Sequence, residues 1–293
     1  MIRNRLPFPR ALRPFALAAL ALAWAAPVTA AESYENCTGF IDSLPVEISS
    51  QGTWCLRHDA STALTSGAAI TINTNNVTID CNDFKLGGLS AGTATMAIGI
   101  HAVGRSNVVV RHCSVRGFYR GIYLVSGPGG HVVEDNRLDN NTRTGIRVDG
   151  DGSVVRRNLV RDTGGTTVTV GSANAIITTG DIDIVDNTVV GVLPGVDGSG
   201  NGNAFGIRAD NSTGGTVEHN RVRGLVSVGP TGGAYAILLA TGNYNSVRNN
   251  HVVGPGSTGL ACPGTTDGAI GNTVYAFETS IAGCADEGGN VMK

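Results

Sequence analysis

The sequence predicts an all-β solenoid, a single domain of about eight coils, and three observations predict it. Two ladders of like residues run along the chain. One is Ile100, Ile122, Ile146, Ile176, Ile207, Ile237, Leu260 and Ile281, in most cases preceded by Gly or Ala; the other is Asn82, Cys113, Asn136, Asn158, Asn187, Asn220, Asn250 and Asn272. Self-similarity at a spacing of 21 to 31 residues along the Ile ladder marks stacked repeats. The segments between ladder positions are short β-branched runs (Val108 to Val110, Val132-Val133, Val154-Val155, Ile182 to Val185) bounded by Gly and Asn turns, the pattern of strands. No segment between them is long and periodic enough for a helix, which excludes leucine-rich and two-helix repeats.

Taken in order, residues 1–30 have the pattern of a secretory signal peptide. Arg3, Arg5, Arg10 and Arg13 form a basic start, Phe15 to Ala26 an apolar run too short to span a bilayer, and Val28-Thr29-Ala30 a small-residue cleavage site. Cleavage near Ala30 predicts a secreted or periplasmic protein with no transmembrane anchor after processing. Its loss leaves 17 basic against 23 acidic side chains, a net charge of −6, which argues against nucleic acid as a partner. Residues 31–58 are expected to form an N-terminal cap and the first strands, and residues 59–293 the coils. Each coil should stack on the last at ~4.8 Å, with the repeated Asn taking the left-handed conformation at a bend and hydrogen-bonding along the stack.

The phrase "VVxxNxV…GI", repeated as "HVVEDNRLDNNTRTGI" and "GTVEHNRVRG", resembles the right-handed parallel β-helix repeat proteins of the pectate-lyase-like superfamily, from roughly Val46 to the C-terminus. The resemblance implies a right-handed parallel β-helix. It also implies a function drawn from secreted or phage-borne lyases, hydrolases and epimerases of polysaccharides, or from members with no known activity.

All six cysteines follow the signal and lack the C-x-x-C spacing of structural zinc sites. Cys262 and Cys284 lie 22 residues apart where the ladder advances 21, and Cys81 and Cys113 lie 32 apart where it advances 31. An offset of one residue between neighbouring coils is within disulfide reach. Cys37 and Cys55 would then close a loop over the first coil.

Loop lengths point to one functional face. From ladder Ile to Asn the distance is 11 to 14 residues, whereas from Asn to the next Ile it ranges from 9 to 20. Long loops at about 83–99, 161–175, 190–206 and 223–236 are expected to bound a valley floored by the coils at 113–150, since insertions on one face usually mark the binding face. Ten arginines (Arg105, Arg111, Arg116, Arg120, Arg137, Arg143, Arg147, Arg156, Arg157, Arg161) against five acids give residues 105–161 a charge of +5 on an acidic protein. Guanidinium forks in such a valley suit a carboxylated or sulfated glycan. Part of that charge also forms alternating-sign columns before the Asn ladder (Arg111, Glu134, Arg156 and His112, Asp135, Arg157), which cross-strand pairing explains without a ligand.

Residues one place after each ladder Ile should point outward, which aligns His101, Tyr123 and Arg147. Asp149 follows on that face, Arg208 with Asp210 repeats the "GIRxD" motif, and Tyr119, Arg120, Asn140, Asn141 and Arg143 sit on the adjoining short loops. Phe205 and Tyr235 occupy equivalent places, as a stacking platform for sugar rings. The expected chemistry is lyase-like β-elimination on a uronate-containing polysaccharide. Arg147 with Arg120 or Arg143 would neutralise the carboxylate, and Tyr123 and His101 would move the protons. No cofactor is required; Asp149 and Asp151 are a candidate Ca2+ pair. The alternative is a non-catalytic envelope or extracellular protein that binds glycan or serves as a rigid spacer. The sequence does not determine the oligomeric state.

Overall fold

Three parallel sheets wind the chain into a β-helix. The computed structural model describes residues 34–168, 171–263 and 266–293, so residues 1–30, where the sequence leads one to expect a signal peptide, lie outside the described residues. A typical coil places Val108–Arg111 on sheet I, Ser114–Arg116 on sheet II and Arg120–Val125 on sheet III before returning to sheet I. The next coil repeats this with Val132–Glu134, Arg137–Asp139 and Thr144–Asp149. Sheet I has eleven strands and sheets II and III ten each.

Hydrophobic burial sets the register. On sheet III, Ile100, Ile122, Ile146, Ile176, Ile207, Ile237, Leu260 and Ile281 lie directly over one another. The column continues toward the N-terminus through Ile70 to Val46, two rungs beyond the eight of the ladder. From Ile70 to Leu260 these side chains are fully buried. Each isoleucine contributes roughly 1.5–3 kcal/mol by leaving water, and a one-residue slip would expose the whole column.

The Gly or Ala before most ladder positions has a steric cause. In Arg120–Val125 two consecutive residues, Gly121 and Ile122, are buried between the outward Arg120 and Tyr123, so the strand kinks at the glycine. A Cβ at Gly121 would stand 2.7 Å from the Gly145 carbonyl oxygen, and one at Gly145 would stand 2.5 Å from that of Ala175. Only the smallest residues fit this seam.

The asparagine ladder is buried and continuous. Asn136, Asn158, Asn187, Asn220, Asn250 and Asn272 each accept a backbone N–H from the rung before, at 2.8–3.1 Å. From Asn136 onward each amide also donates to the next Asn, ending at Asn290. The left-handed residue is not the ladder Asn but the one before it: Asp135, Arg157, Asp186, His219 and Asn249 have φ between 54° and 57°. That geometry turns the Asn side chain inward, where it satisfies buried backbone groups. Asn82 is itself left-handed, at φ 47°, and donates instead to the Leu56 carbonyl.

Three disulfides, Cys37–Cys55, Cys81–Cys113 and Cys262–Cys284, link neighbouring coils, with Cα separations of 5.9, 4.7 and 4.8 Å. On sheet I the outward charges pair along the stack: Arg111 with Asp80 at 2.7 Å, Arg156 with Glu134 at 2.7 Å and Arg248 with Glu218 at 2.8 Å.

Candidate functional site

Because each sheet III strand kinks at its small residue, it presents two outward columns separated by the seam. The first runs Arg120, Thr144, Asn174, Phe205, Tyr235; the second runs His101, Tyr123, Arg147, Ile177, Arg208, Leu238. Between them lies a cleft of 290 Å³ lined by Arg120, Tyr123, Arg143, Thr144, Arg147, Ser172, Asn174, Ile177, Arg208 and Asp210. A second cleft of 440 Å³, farther along the same face, is lined by Asn203, Phe205, Tyr235, Leu238, Ala261, Pro263, Ala282 and Gly283.

The four arginines of the first cleft are not equivalent. Arg147 closes a fork on Asp149 (Nε–Oδ1 3.0 Å, Nη2–Oδ2 3.3 Å), and Arg208 binds Asp210 at 2.8 Å. Burial disfavours the Arg147 charge, and Asp149 more than offsets this, raising its pKa above the ordinary arginine value. Arg120 instead lies 4.4 Å from the Tyr123 ring and 5.0 Å from the Tyr119 ring. Arg143 donates to the Tyr119 hydroxyl at 2.8 Å. Among the described residues the ion pairs of this face belong to Arg147 and Arg208, and neither Arg120 nor Arg143 has a carboxylate partner.

The structure therefore brings Arg120, Tyr123, Arg143, Arg147, Arg208 and Asp210 together in one cleft, with His101 beside Tyr123 at 5.7 Å between ring centroids. His101 is half-buried, and burial followed by the Arg120 charge lowers its pKa, so it stays neutral near pH 7.

Several expected contacts are placed elsewhere. Tyr119 is 2% exposed and props the arginines from beneath. Asn141 is fully buried, bonding the Phe118 N–H and the Val115 carbonyl, while Asn140 is exposed at the end of sheet II, away from the cleft. Phe205 is 5% exposed, with Tyr235 stacked on it at 5.4 Å and 14°, so of the two Tyr235 is the more exposed ring. Of the candidate Ca2+ pair, Asp149 is held by Arg147 and the Asp151 Oδ1 accepts from the Asp181 N–H. Among the described residues no group of three or more His, Cys, Asp or Glu could hold a metal.

The valley is also different. The Thr167 N–H donates to the Thr93 carbonyl at 3.2 Å and the Thr166 N–H to that of Thr142 at 3.0 Å, so the long loops meet over the short turns and close that side. The open groove is the outer face of sheet III beside them. The ten arginines of 105–161 are divided among faces: Arg111 and Arg156 on sheet I with Arg157 at the corner that follows, Arg116 with Arg137 and Arg161 on sheet II. Asn174, which sequence reasoning passed over, lines the cleft; its place two before the ladder Ile, shared with Arg120 and Tyr235, was the available signal.

Residues 46–190 match the family model described as "Right handed beta helix region". No curated protein matches the sequence. Among solved structures, the DFA-IIIase of Arthrobacter chlorophenolicus in complex with GF2 is 14% identical over 78% of this chain and 61% of its own, with a TM-score of 0.44. The tailspike of E. coli bacteriophage HK620 in complex with a pentasaccharide is 12% identical over 87% and 56%, with a TM-score of 0.45. The Dettilon tailspike is 16% identical over 86% and 58%, with a TM-score of 0.40. The chain thus spans about three fifths of the length of these structures.

Proposed function

We propose, for what is by fold a right-handed parallel β-helix repeat protein, that it binds and acts on an anionic, uronate-containing polysaccharide laid along sheet III. One observation carries this reading: Arg120 and Arg143 face the cleft, held by aromatic rings yet unpaired with any carboxylate of the described residues. Guanidinium groups fixed in this way are prepared for a carboxylate that the chain does not supply. The disulfides suit a secreted or periplasmic setting. Among the described residues no helix is long and apolar enough to cross a membrane.

For β-elimination, Arg120 and Arg143 take the neutralising role, because Asp149 already occupies Arg147. Charge drawn off the carboxylate acidifies C5–H. Neutral His101 removes that proton, the C4–O4 bond breaks as C4=C5 forms, and the Tyr123 hydroxyl protonates the departing oxygen. A second reading, glycan binding without turnover, is favoured by the absence of His101 from the residues lining the cleft.

The test is incubation with pectate, alginate, hyaluronan and chondroitin, following the absorbance of unsaturated products and measuring binding in parallel. The double substitution Arg120→Ala and Arg143→Ala is expected to weaken binding about ten- to hundredfold. Product formation that also fails on Tyr123→Phe supports the lyase; binding without product supports the second reading; no binding to any polymer refutes both.

A further inference from the structure

Resting on that reading, we propose that the groove selects an acidic glycan in which uronates alternate with sugars carrying an apolar substituent, such as an acetamido group. The contacts would be Arg120, Asn174 and Tyr235. These three stand in one register column, Arg120 over Thr144, Asn174, Phe205 and Tyr235. At the rung spacing the ends are about 19 Å apart, more than one sugar ring bridges, so the ligand is an oligomer lying along the rod.

Each contact asks for a different chemistry. Arg120 offers a cation with no carboxylate partner among the described residues. Asn174 is only 8% exposed, and its Oδ1 is buried without a hydrogen-bond partner among the described residues, in a side chain that lines the charged cleft beside Arg143 and Arg208. A buried amide oxygen without a donor is costly, and a sugar hydroxyl in the cleft supplies one. Beyond it Tyr235, backed by Phe205, forms one wall of the second cleft, whose floor is Leu238, Ala261 and Ala282 on three successive rungs. The three floor side chains carry no donor, and the Asn203 amide and the Tyr235 hydroxyl are the polar side-chain groups of the lining, so a carboxylate on the floor would lose water with little return, whereas a methyl group would fit. The Arg208 guanidinium, 5.2 Å from the Phe205 ring, lies where the two clefts meet. A homouronate satisfies the first cleft and not the second; an alternating copolymer satisfies both.

Calorimetric titration with hyaluronan and oligogalacturonate hexasaccharides tests this. The wild-type chain should bind the hyaluronan probe at least about tenfold more tightly. Tyr235→Ala and the outward Leu238→Ser should each abolish that difference, and Asn174→Ala and Arg120→Ala should weaken both probes, with circular dichroism verifying the fold. Equal affinity of the two probes, or a preference that survives both Tyr235→Ala and Leu238→Ser, overturns the inference while leaving acidic-glycan binding standing. If neither probe nor any polymer binds, the functional reading fails and this inference with it.

Discussion

His131 sits fully buried between sheets III and I, its Nδ1 accepting the Val108 N–H at 3.2 Å and its Nε2 without a partner among the described residues. Burial lowers its pKa against the opposing pull of Asp149, and an Nδ1 engaged by the Val108 N–H also favours the neutral ring. The unfolded chain therefore takes up a proton near the ordinary value of about 6.5 while the folded chain resists it. Stability is complete above that pH and falls as pH drops below it, until the folded pKa is reached. His131→Asn keeps an acceptor for Val108 and cannot titrate, so the urea midpoint of the variant should change less between about pH 7 and 5. Arg147 supports a second prediction. Asp149→Asn should release the guanidinium and tighten acidic-glycan binding about three- to tenfold, with a steeper salt dependence in titrations at two ionic strengths. The outward direction of Arg147 was legible from alternation along the strand. Its neutralisation was not, because rotamers decide whether a neighbouring acid closes on the guanidinium or on a ligand.

Within the strands and turns, two seams carry the fold. Gly145→Val would drive side-chain atoms toward the Ala175 carbonyl and should cost about 2–4 kcal/mol in chemical denaturation. Asn187→Ala should cost roughly 2–5 kcal/mol, since it orphans the Asn158 N–H and the Val155 carbonyl in the interior. Both columns could be read from the sequence because a stack repeats one environment at every turn. The turn conformation could not be read the same way. Arg157 is not a residue that seeks positive φ, and it adopts it because the corner must turn the next Asn inward. The closed loops were equally hidden, since the Thr93–Thr167 bond joins residues three coils apart through loops with no repeat of their own.

At the scale of the whole rod, contacts are between neighbouring rungs, so stability accumulates rung by rung and opening should begin where rungs have fewest neighbours. Replacing Cys81 and Cys113 together with serine frees a loop of about 32 residues in the unfolded chain, and should lower unfolding stability by up to about 4 kcal/mol. Hydrogen exchange should then show protection lost first in the N-terminal coils and kept around Asn187. The charge count of residues 105–161 misled at this scale alone: residues close in sequence pass around three faces in a single turn, so a local excess of arginine becomes a belt and not a patch.

The unbroken register from Val46 to Ile281 gives the groove the property of a ruler with one fixed graduation. Excising a single complete turn between two contacts would bring them closer by one notch of ~4.8 Å and leave the chemistry of each untouched. Chains cut and rejoined in this way would report, notch by notch, how far apart a bound polymer holds its acidic and apolar groups.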